Sequence, residues 1–253
     1  MDLKSRIGTI EAKYNFRASP VLDQYFAINE GFIDRMIRYA ELKEDDVVLE
    51  IGPGLGFLTG KIAEKAAKVI AVEKDRRLEP VLKSELSAYE NIDFIFDDFL
   101  KVELPSFTKV VSNIPYSASA PITFKLLDYD FDLAVITYQK EFAERMLAGA
   151  GDPDYGRLSV MVNYYYDAKM MEVVNKSSFY PMPKVDSAVI RLRKKGVEKD
   201  KAFDDFVREL FRYKNKDVKN AVKIAFSKEI NDTRKVRSLD INDLRSLYKQ
   251  VRQ

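Results

Sequence analysis

The chain has 253 residues, 46% hydrophobic and 32% charged, with 42 Lys+Arg against 40 Asp+Glu. That length holds one large domain, or a large one with a small companion, and the apolar fraction suffices for a sizeable core. With no cysteine and no histidine, disulfides, thiolate zinc sites, cysteine nucleophiles and a Ser-His-Asp triad are all excluded, so chemistry must run on carboxylates, amides, hydroxyls, lysine, backbone groups or a bound cofactor.

No metal site is expected. No apolar run reaches the ~18 residues of a membrane span, and the N-terminus shows no apolar signal core; a cytoplasmic location and no membrane contact are expected. The net charge of +2 conceals an asymmetry. Residues 1–190 carry 23 basic and 30 acidic side chains, net −7, whereas residues 191–253 carry 19 and 10, net +9. A basic tail suits nucleic acid, and a solvated helical surface is the alternative.

From Val47 the pattern alternates strand and helix. Val47–Ile51 reads as a buried strand, Leu58–Ala67 as helix, Val69–Val72 as strand, Arg76–Tyr89 as helix and Ile92–Phe96 as strand. Lys109–Ser112 follows as strand, then a helix at Pro121–Leu127, a strand at Leu133–Thr137 and a helix at Glu141–Ala148. Such alternation implies a parallel sheet covered on both faces. Beyond Gly156, Leu158–Tyr166 and Met170–Val174 read as consecutive strands joined by a turn at Asp167-Ala-Lys. Val185–Leu192 reads as another strand, Arg191–Gly196 as a short linker, and Ala202–Phe226 and Ile241–Val251 as helices.

Several short motifs carry chemistry. Gly52-Pro-Gly54-Leu-Gly56 follows the first strand and opens a helix, so the backbone can turn tightly and approach a ligand. Glu73 ends the next strand, 21 residues after Gly52, where an acid can accept both hydroxyls of a ribose. The nicotinamide fingerprint needs its last glycine at position 57, which is Phe57. The G-x-G-x-G spacing fits S-adenosylmethionine, which has no pyrophosphate to cradle. Asp98 ends the third strand and can accept from an adenine amine, or can be a solvated strand end.

Asn113-Ile114-Pro115-Tyr116 follows the fourth strand. The lone pair of an exocyclic base amine is delocalised into its ring. Acceptors for its protons, the Asn113 side-chain oxygen and the Ile114 carbonyl, favour a pyramidal and reactive nitrogen. Pro115 stiffens the loop, and Tyr116 offers a stacking face for a flipped base. A sulfonium is already an activated electrophile, so no histidine is required. In Phe179-Tyr-Pro-Met-Pro-Lys184, Phe179 can stack on the other face of the base and Lys184 can meet phosphate; the alternative is a rigid loop with Phe179 in the core.

Together these motifs resemble the ribosomal RNA small-subunit adenine dimethyltransferase family, particularly its archaeal and eukaryotic branch, from about Pro20 to Asn220. Asn113–Leu127, Tyr138–Met146, Tyr155–Val160 and Phe179–Ser187 are similar to that branch. The family's G-Q-N-F-L segment matches Asp23-Gln24-Tyr25-Phe26-Ala27, agreeing at Gln24 and Phe26 and departing at Asp23, Tyr25 and Ala27. In the tail, Phe211–Val222 is similar to the family's basic helix, with Tyr213 and Asn215 departing from it. The resemblance implies an α/β fold: a class I S-adenosylmethionine-dependent methyltransferase (Rossmann-like) sheet with a small helical C-terminal domain. Residues 1–195 would form the S-adenosylmethionine-binding catalytic domain and residues 196–253 the RNA-binding one.

By motif position, Gln24, Tyr25, Ala27, Gly52, Gly54, Glu73, Asp98 and Asn113 would hold S-adenosylmethionine. Asn113, Ile114, Pro115, Tyr116 and Phe179 would hold the target adenine. Lys184, Arg208, Arg212, Lys214, Lys216 and Lys219 would meet RNA. The implied reaction is N6,N6-dimethylation of two adjacent adenosines near the 3′ end of small-subunit rRNA, within a pre-ribosomal small subunit, by a monomer that serves ribosome biogenesis. The rivals are a large-subunit rRNA adenine methyltransferase of the macrolide-resistance type and an inactive assembly or transcription factor on the same fold.

Overall fold

The computed structural model describes residues 2–252. Helix α1 (Leu3–Lys13) is capped by Asp2, whose side chain accepts from the Ser5 N–H at 2.8 Å. It buries Leu3, Ile7 and Ile10, an i, i+4, i+7 stripe. The short strand β1 (Phe26–Ala27) precedes helix α2 (Glu30–Ala40), which starts where Asn29 accepts from the Phe32 N–H.

The central unit then runs β2 (Val47–Ile51), α3 (Phe57–Ala63), β3 (Lys68–Val72), α4 (Glu79–Glu85), β4 (Ile92–Ile95), β5 (Lys109–Asn113), α5 (Ser119–Leu126) and β6 (Leu133–Gln139). Helix α6 (Lys140–Leu147), helix α7 (Arg157–Tyr165), β7 (Tyr166–Val174), β8 (Phe179–Tyr180) and β9 (Ser187–Lys194) follow. The sheet order is β4-β3-β2-β5-β6-β9-β7. Strands β2 to β6 pair in parallel, and β9 lies antiparallel to β6. Apolar runs such as Val47–Ile51 and Leu133–Tyr138, buried throughout or nearly so, are what a sheet covered on both faces demands. A separate ribbon pairs β1 with β8, Phe26 opposite Tyr180 and Ala27 opposite Phe179.

The chain order places β3 and β4 on one side of β2, and β5 and β6 on the other. At such a reversal the loops leaving adjacent strands part and leave a crevice at the carboxyl ends. The β2–β5 register runs Val48 to Lys109 and Leu49 to Val110. One step further the Ser112 hydroxyl takes over. It accepts from the Ile51 N–H at 3.3 Å and donates to the Ile51 carbonyl at 2.6 Å, fully buried.

Contacts divide the chain into two compact units. One runs to Ala143 and resumes over Lys169–Arg193; the other takes Glu144–Ala168 and the described chain from Lys194. The expected cut at 195/196 is therefore too simple. Helix α7 packs on α8 (Lys201–Phe211), which with α9 (Val218–Phe226) and α10 (Ile241–Arg252) completes the second unit. There the Tyr165 hydroxyl donates to Asp204 at 2.8 Å and accepts from the Asp200 N–H at 3.1 Å, and Phe203 and Phe206 pack against Tyr248.

Four expected elements need correction. The expected strand Leu158–Tyr166 is helical over Leu158–Tyr165, with Tyr166 opening β7, and Asp167–Lys169 lies inside β7 rather than in a turn. The β-branched and aromatic content favours a strand locally, but Leu158, Met161, Val162 and Tyr165 form one buried helical stripe, and burial outweighs propensity. Strand β9 runs through Lys194, into the expected linker. The first tail helix is two helices, broken between Phe211 and Val218. No helix among the described residues is long and apolar enough to cross a membrane.

Ser112→Ala should lower stability by about 1–3 kcal/mol, because the Ile51 groups facing β5 lose their buried partner. Urea unfolding measures it; an unchanged midpoint would show that the ladder closes without the hydroxyl.

Candidate active site

The crevice beyond β2 and β5 opens into a cavity of about 520 Å³, a size that takes a nucleoside-like ligand. Its wall includes Gln24, Tyr25, Ala27, Gly52, Gly54, Glu73, Asp98 and Asn113, so all eight expected cofactor residues converge on one space. Pro115 also lines it, whereas Ile114, Tyr116 and Phe179 do not.

The glycine loop needs its glycines. Gly54 has φ +58°, and a Cβ there would meet the Phe26 ring at 2.8 Å. Gly56 has φ +82°, and a Cβ would press on Leu86 at 2.8 Å. The buried Glu73 carboxylate accepts from the Gly54 N–H at 3.1 Å and from the Asp75 N–H at 2.8 Å. It therefore buttresses the loop while keeping lone pairs for a ligand. Burial raises the Glu73 carboxyl, against the opposing pull of those backbone donors. Asp98 is held ionised by Lys74, whose ammonium lies 3.0 Å away, and by the Leu100 N–H.

Sequence reasoning assigned no role to Glu50, although it heads the glycine motif. It lines the cavity, is 1% exposed, and its Oε2 has no partner. Burial pushes its carboxyl up to about 8, with Thr59 opposing and the nearby Glu73 charge adding to the rise. The available signal was a carboxylate inside an otherwise apolar strand.

Asn113 is oriented by its neighbours. Its Nδ2 donates to the Tyr25 carbonyl at 2.9 Å, and its Oδ1 is buried without a partner. Asp23, where the resembled family carries glycine, adopts the left-handed φ of 55° that favours glycine. Its Oδ2 also accepts from the Ser117 N–H at 2.8 Å, tying the 23–27 strap to the loop after β5. Gln24 has both amide ends engaged, accepting from the Ser19 N–H and donating to Asp75, so it shapes the wall from within.

The Tyr116 hydroxyl lies 2.6 Å from the Ser187 Oγ, its ring stacks on Tyr25, and burial pushes its phenol up to about 12. Phe179 does not face the cavity. It is 2% exposed and packs edge-on against Phe32 at 5.5 Å, because β8 pairs with β1 and turns the ring into the core.

Lys184 is exposed between β8 and β9. In the second unit, Arg208 pairs with Asp205 and Glu209, and Arg212 with Glu209, all at an exposed surface. Lys216 and Lys219 are exposed. Lys214 is different: its ammonium donates to the Pro153 and Tyr155 carbonyls, so it secures the loop before α7.

The reversed parallel sheet, the glycine loop after β2 and the acids ending β3 and β4 define a class I methyltransferase. The partnerless buried Oε2 of Glu50, in the cavity wall, suits a ligand rich in N–H donors and positive charge such as S-adenosylmethionine. The model of the family "Ribosomal RNA adenine dimethylase" matches residues 15–252. A probable ribosomal RNA small subunit methyltransferase A from Methanopyrus kandleri is 42% identical over 239 residues, covering 92% of this chain and 86% of that protein. Its counterpart from Thermococcus onnurineus is 46% identical over 222 residues, covering 87% and 81%. Among solved structures, a dimethyladenosine transferase from Plasmodium falciparum is 32% identical with a TM-score of 0.81, covering 90% of this chain and 97% of that one. The 23S rRNA methyltransferase ErmE is 28% identical with a TM-score of 0.69, covering 90% and 100%. The chain belongs to the ribosomal RNA adenine dimethylase family. It is an S-adenosylmethionine-dependent rRNA adenine methyltransferase.

Glu50 makes stability depend on pH. Its carboxyl titrates near 8 when folded against 4.5 in the reference state. Between those values the folded protein keeps a proton that the unfolded chain has released, so this contribution is full at low pH and lost as the pH rises through about 8. Glu50→Gln should flatten the decline of urea-unfolding stability between pH 5 and 8, which Glu50 sets at no more than about 1.4 kcal/mol per pH unit. An identical profile in the variant would mean that folded Glu50 is ionised.

Proposed function

We propose that this enzyme dimethylates the N6 amines of two adjacent adenosines near the 3′ end of small-subunit rRNA. It would do so as a cytoplasmic monomer acting on a pre-ribosomal small subunit. Support for the small-subunit branch comes from relatives at 42–46% identity that carry that description.

The single observation that carries the chemistry is the Asn113 side chain. One end is committed to the Tyr25 carbonyl, and the other presents a buried oxygen with no partner. An acceptor fixed in that sense takes a hydrogen bond from the target amine and turns its lone pair out of conjugation with the purine. The Ile114 carbonyl is assigned the hydrogen bond from the second N–H. S-adenosylmethionine supplies an activated methyl group, so no protein base is needed and the released proton passes to water. After one transfer the amine still has a hydrogen for Asn113. After two it has none, which ends the reaction at dimethylation. Pro115 stiffens the loop that carries these groups.

Asn113→Ala should slow single-turnover methyl transfer by roughly 100-fold or more, the scale of losing one preorganised polar contact to the reacting centre. RNA affinity should stay near wild type, because many phosphate contacts share it. Equal losses in both would make Asn113 a docking residue.

Lys184, Arg208, Arg212, Lys216 and Lys219 are proposed to meet RNA phosphates; the arginines' exposed ion pairs are cheap to exchange for them. Replacing Arg212, Lys216 and Lys219 by glutamine should reduce the salt dependence of RNA binding by about 0.7–0.9 in log–log slope for each lost contact. An unchanged slope would leave the tail a solvated surface.

A further inference from the structure

Residues 181–186, between β8 and β9, carry two of the six large hydrophobic side chains that are exposed among the described residues: Met182 at 61% and Val185 at 44%. The backbone that presents Met182 is stiff. Pro181 and Pro183 fix φ on either side of it, and a residue ahead of proline is held extended. Side chains alternate along an extended segment, and here Pro183 is buried while Met182 and Lys184 both face out. An apolar side chain and a cation thus stand two residues apart on the same side of a rigid loop.

Both stems of this loop are tied to the elements that carry the acceptor groups. At one end Tyr180 pairs with Phe26, the neighbour of Tyr25, whose carbonyl orients Asn113. At the other, the Ser187 hydroxyl meets the Tyr116 hydroxyl at 2.6 Å, and the Asp186 carbonyl accepts from the Lys140 N–H at 3.0 Å. Met182 lines no part of the cofactor cavity. It stands outside that cavity, on a loop that begins beside the 23–27 strap and ends beside the loop after β5.

Resting on the adenine-methylating reading above, we propose that Met182 is a wedge that enters the RNA stack and fills the layer vacated by the extruded adenosine. The Asn113 Oδ1 is buried, so an adenine still stacked between its neighbours cannot bring its amine there. The base must leave the stack, and the stacking it gives up opposes extrusion. An apolar side chain in the vacated layer restores contact to the flanking bases, as apolar wedges do where proteins unstack nucleic acid. Methionine is unbranched and adaptable, so one side chain suits the two different gaps that adjacent adenosines leave in turn. The prolines order the backbone beforehand, which spares that cost at binding. Lys184, facing the same way, reaches the phosphate beside the gap.

The test uses the full chain, small ribosomal subunits carrying unmethylated rRNA, and labelled S-adenosylmethionine at saturation under single-turnover conditions. Met182→Ala and the near-isosteric but polar Met182→Gln should each slow transfer at saturating subunits by roughly tenfold or more, since the gap is left unfilled or filled by an amide. Met182→Leu should keep most of the rate. Subunit affinity should stay near wild type in all three, because docking precedes extrusion. Met182 is exposed and outside the cavity, so cofactor affinity by calorimetry and the urea midpoint should also hold.

Alanine and glutamine variants as fast as wild type overturn the proposal. A loss that appears only as weaker subunit binding, with the saturated rate intact, also overturns it and makes Met182 a docking contact. A leucine variant as slow as the alanine one overturns it as well, because apolar bulk would then not be what matters. Wild-type protein that transfers nothing to these subunits overturns the functional reading itself, and the wedge with it.

Discussion

The Ser112 hydroxyl, clasping both backbone groups of Ile51, is the contact on which the site depends. It lies where β2 and β5 stop pairing through their backbones and their loops begin to part. The strands are also locked at their other end. There Lys109 pairs with Asp46 at 2.8 Å, both side chains buried, and Asp46 accepts from Thr108. With the register held at both ends, Gly52 and Asn113 emerge side by side although 61 residues separate them. The loops that carry Gly52 and Asn113 are thus fixed relative to each other by ordinary strand physics.

The second constraint is the strap over residues 23–27. It is short and apolar at Phe26 and Ala27, yet each polar group near it has a task. Asp23 holds the Ser117 N–H, Gln24 ties Ser19 to Asp75, and the Tyr25 carbonyl fixes Asn113. Asp23 shows how a departure from a family pattern can preserve the backbone. It takes the left-handed conformation expected of glycine and uses its carboxylate to anchor the turn. On the proposed mechanism a chain without histidine can run this reaction, because what it needs is a fixed acceptor, not a titrating base.

Carboxylates in the cavity wall carry distinct duties set by their surroundings. Asp98 is ionised beside Lys74, Glu73 braces the glycine loop, and Glu50 is buried deeply enough to favour its neutral form. A cationic ligand placed against this wall meets charge that is fixed at one acid and inducible at another. The positive tail poses a separate electrostatic problem. Its Arg208 and Arg212 are paired with Asp205 and Glu209 of α8, so their charge is available to phosphate only by exchange.

The sequence by itself determined the alternating strands of the sheet, the glycine loop, the acids ending β3 and β4, and the Asn113–Tyr116 motif. Period-two and period-3.6 patterns and turn chemistry are local, and each of these features depends on neighbours within a few residues. It also determined what the chemistry could not be, through the missing cysteine and histidine. Only the tertiary structure decided that Leu158–Tyr165 is helical, since its β-branched and aromatic residues favour a strand until a partner surface rewards one helical stripe. The same holds for Phe179, which the β1–β8 ribbon turns into the core, and for Lys214, whose ammonium is claimed by the carbonyls of Pro153 and Tyr155. Glu50, Ser112 and Tyr25 took on their roles in the same way. Which group a side chain meets is set by segments tens of residues away, and no local pattern encodes that meeting.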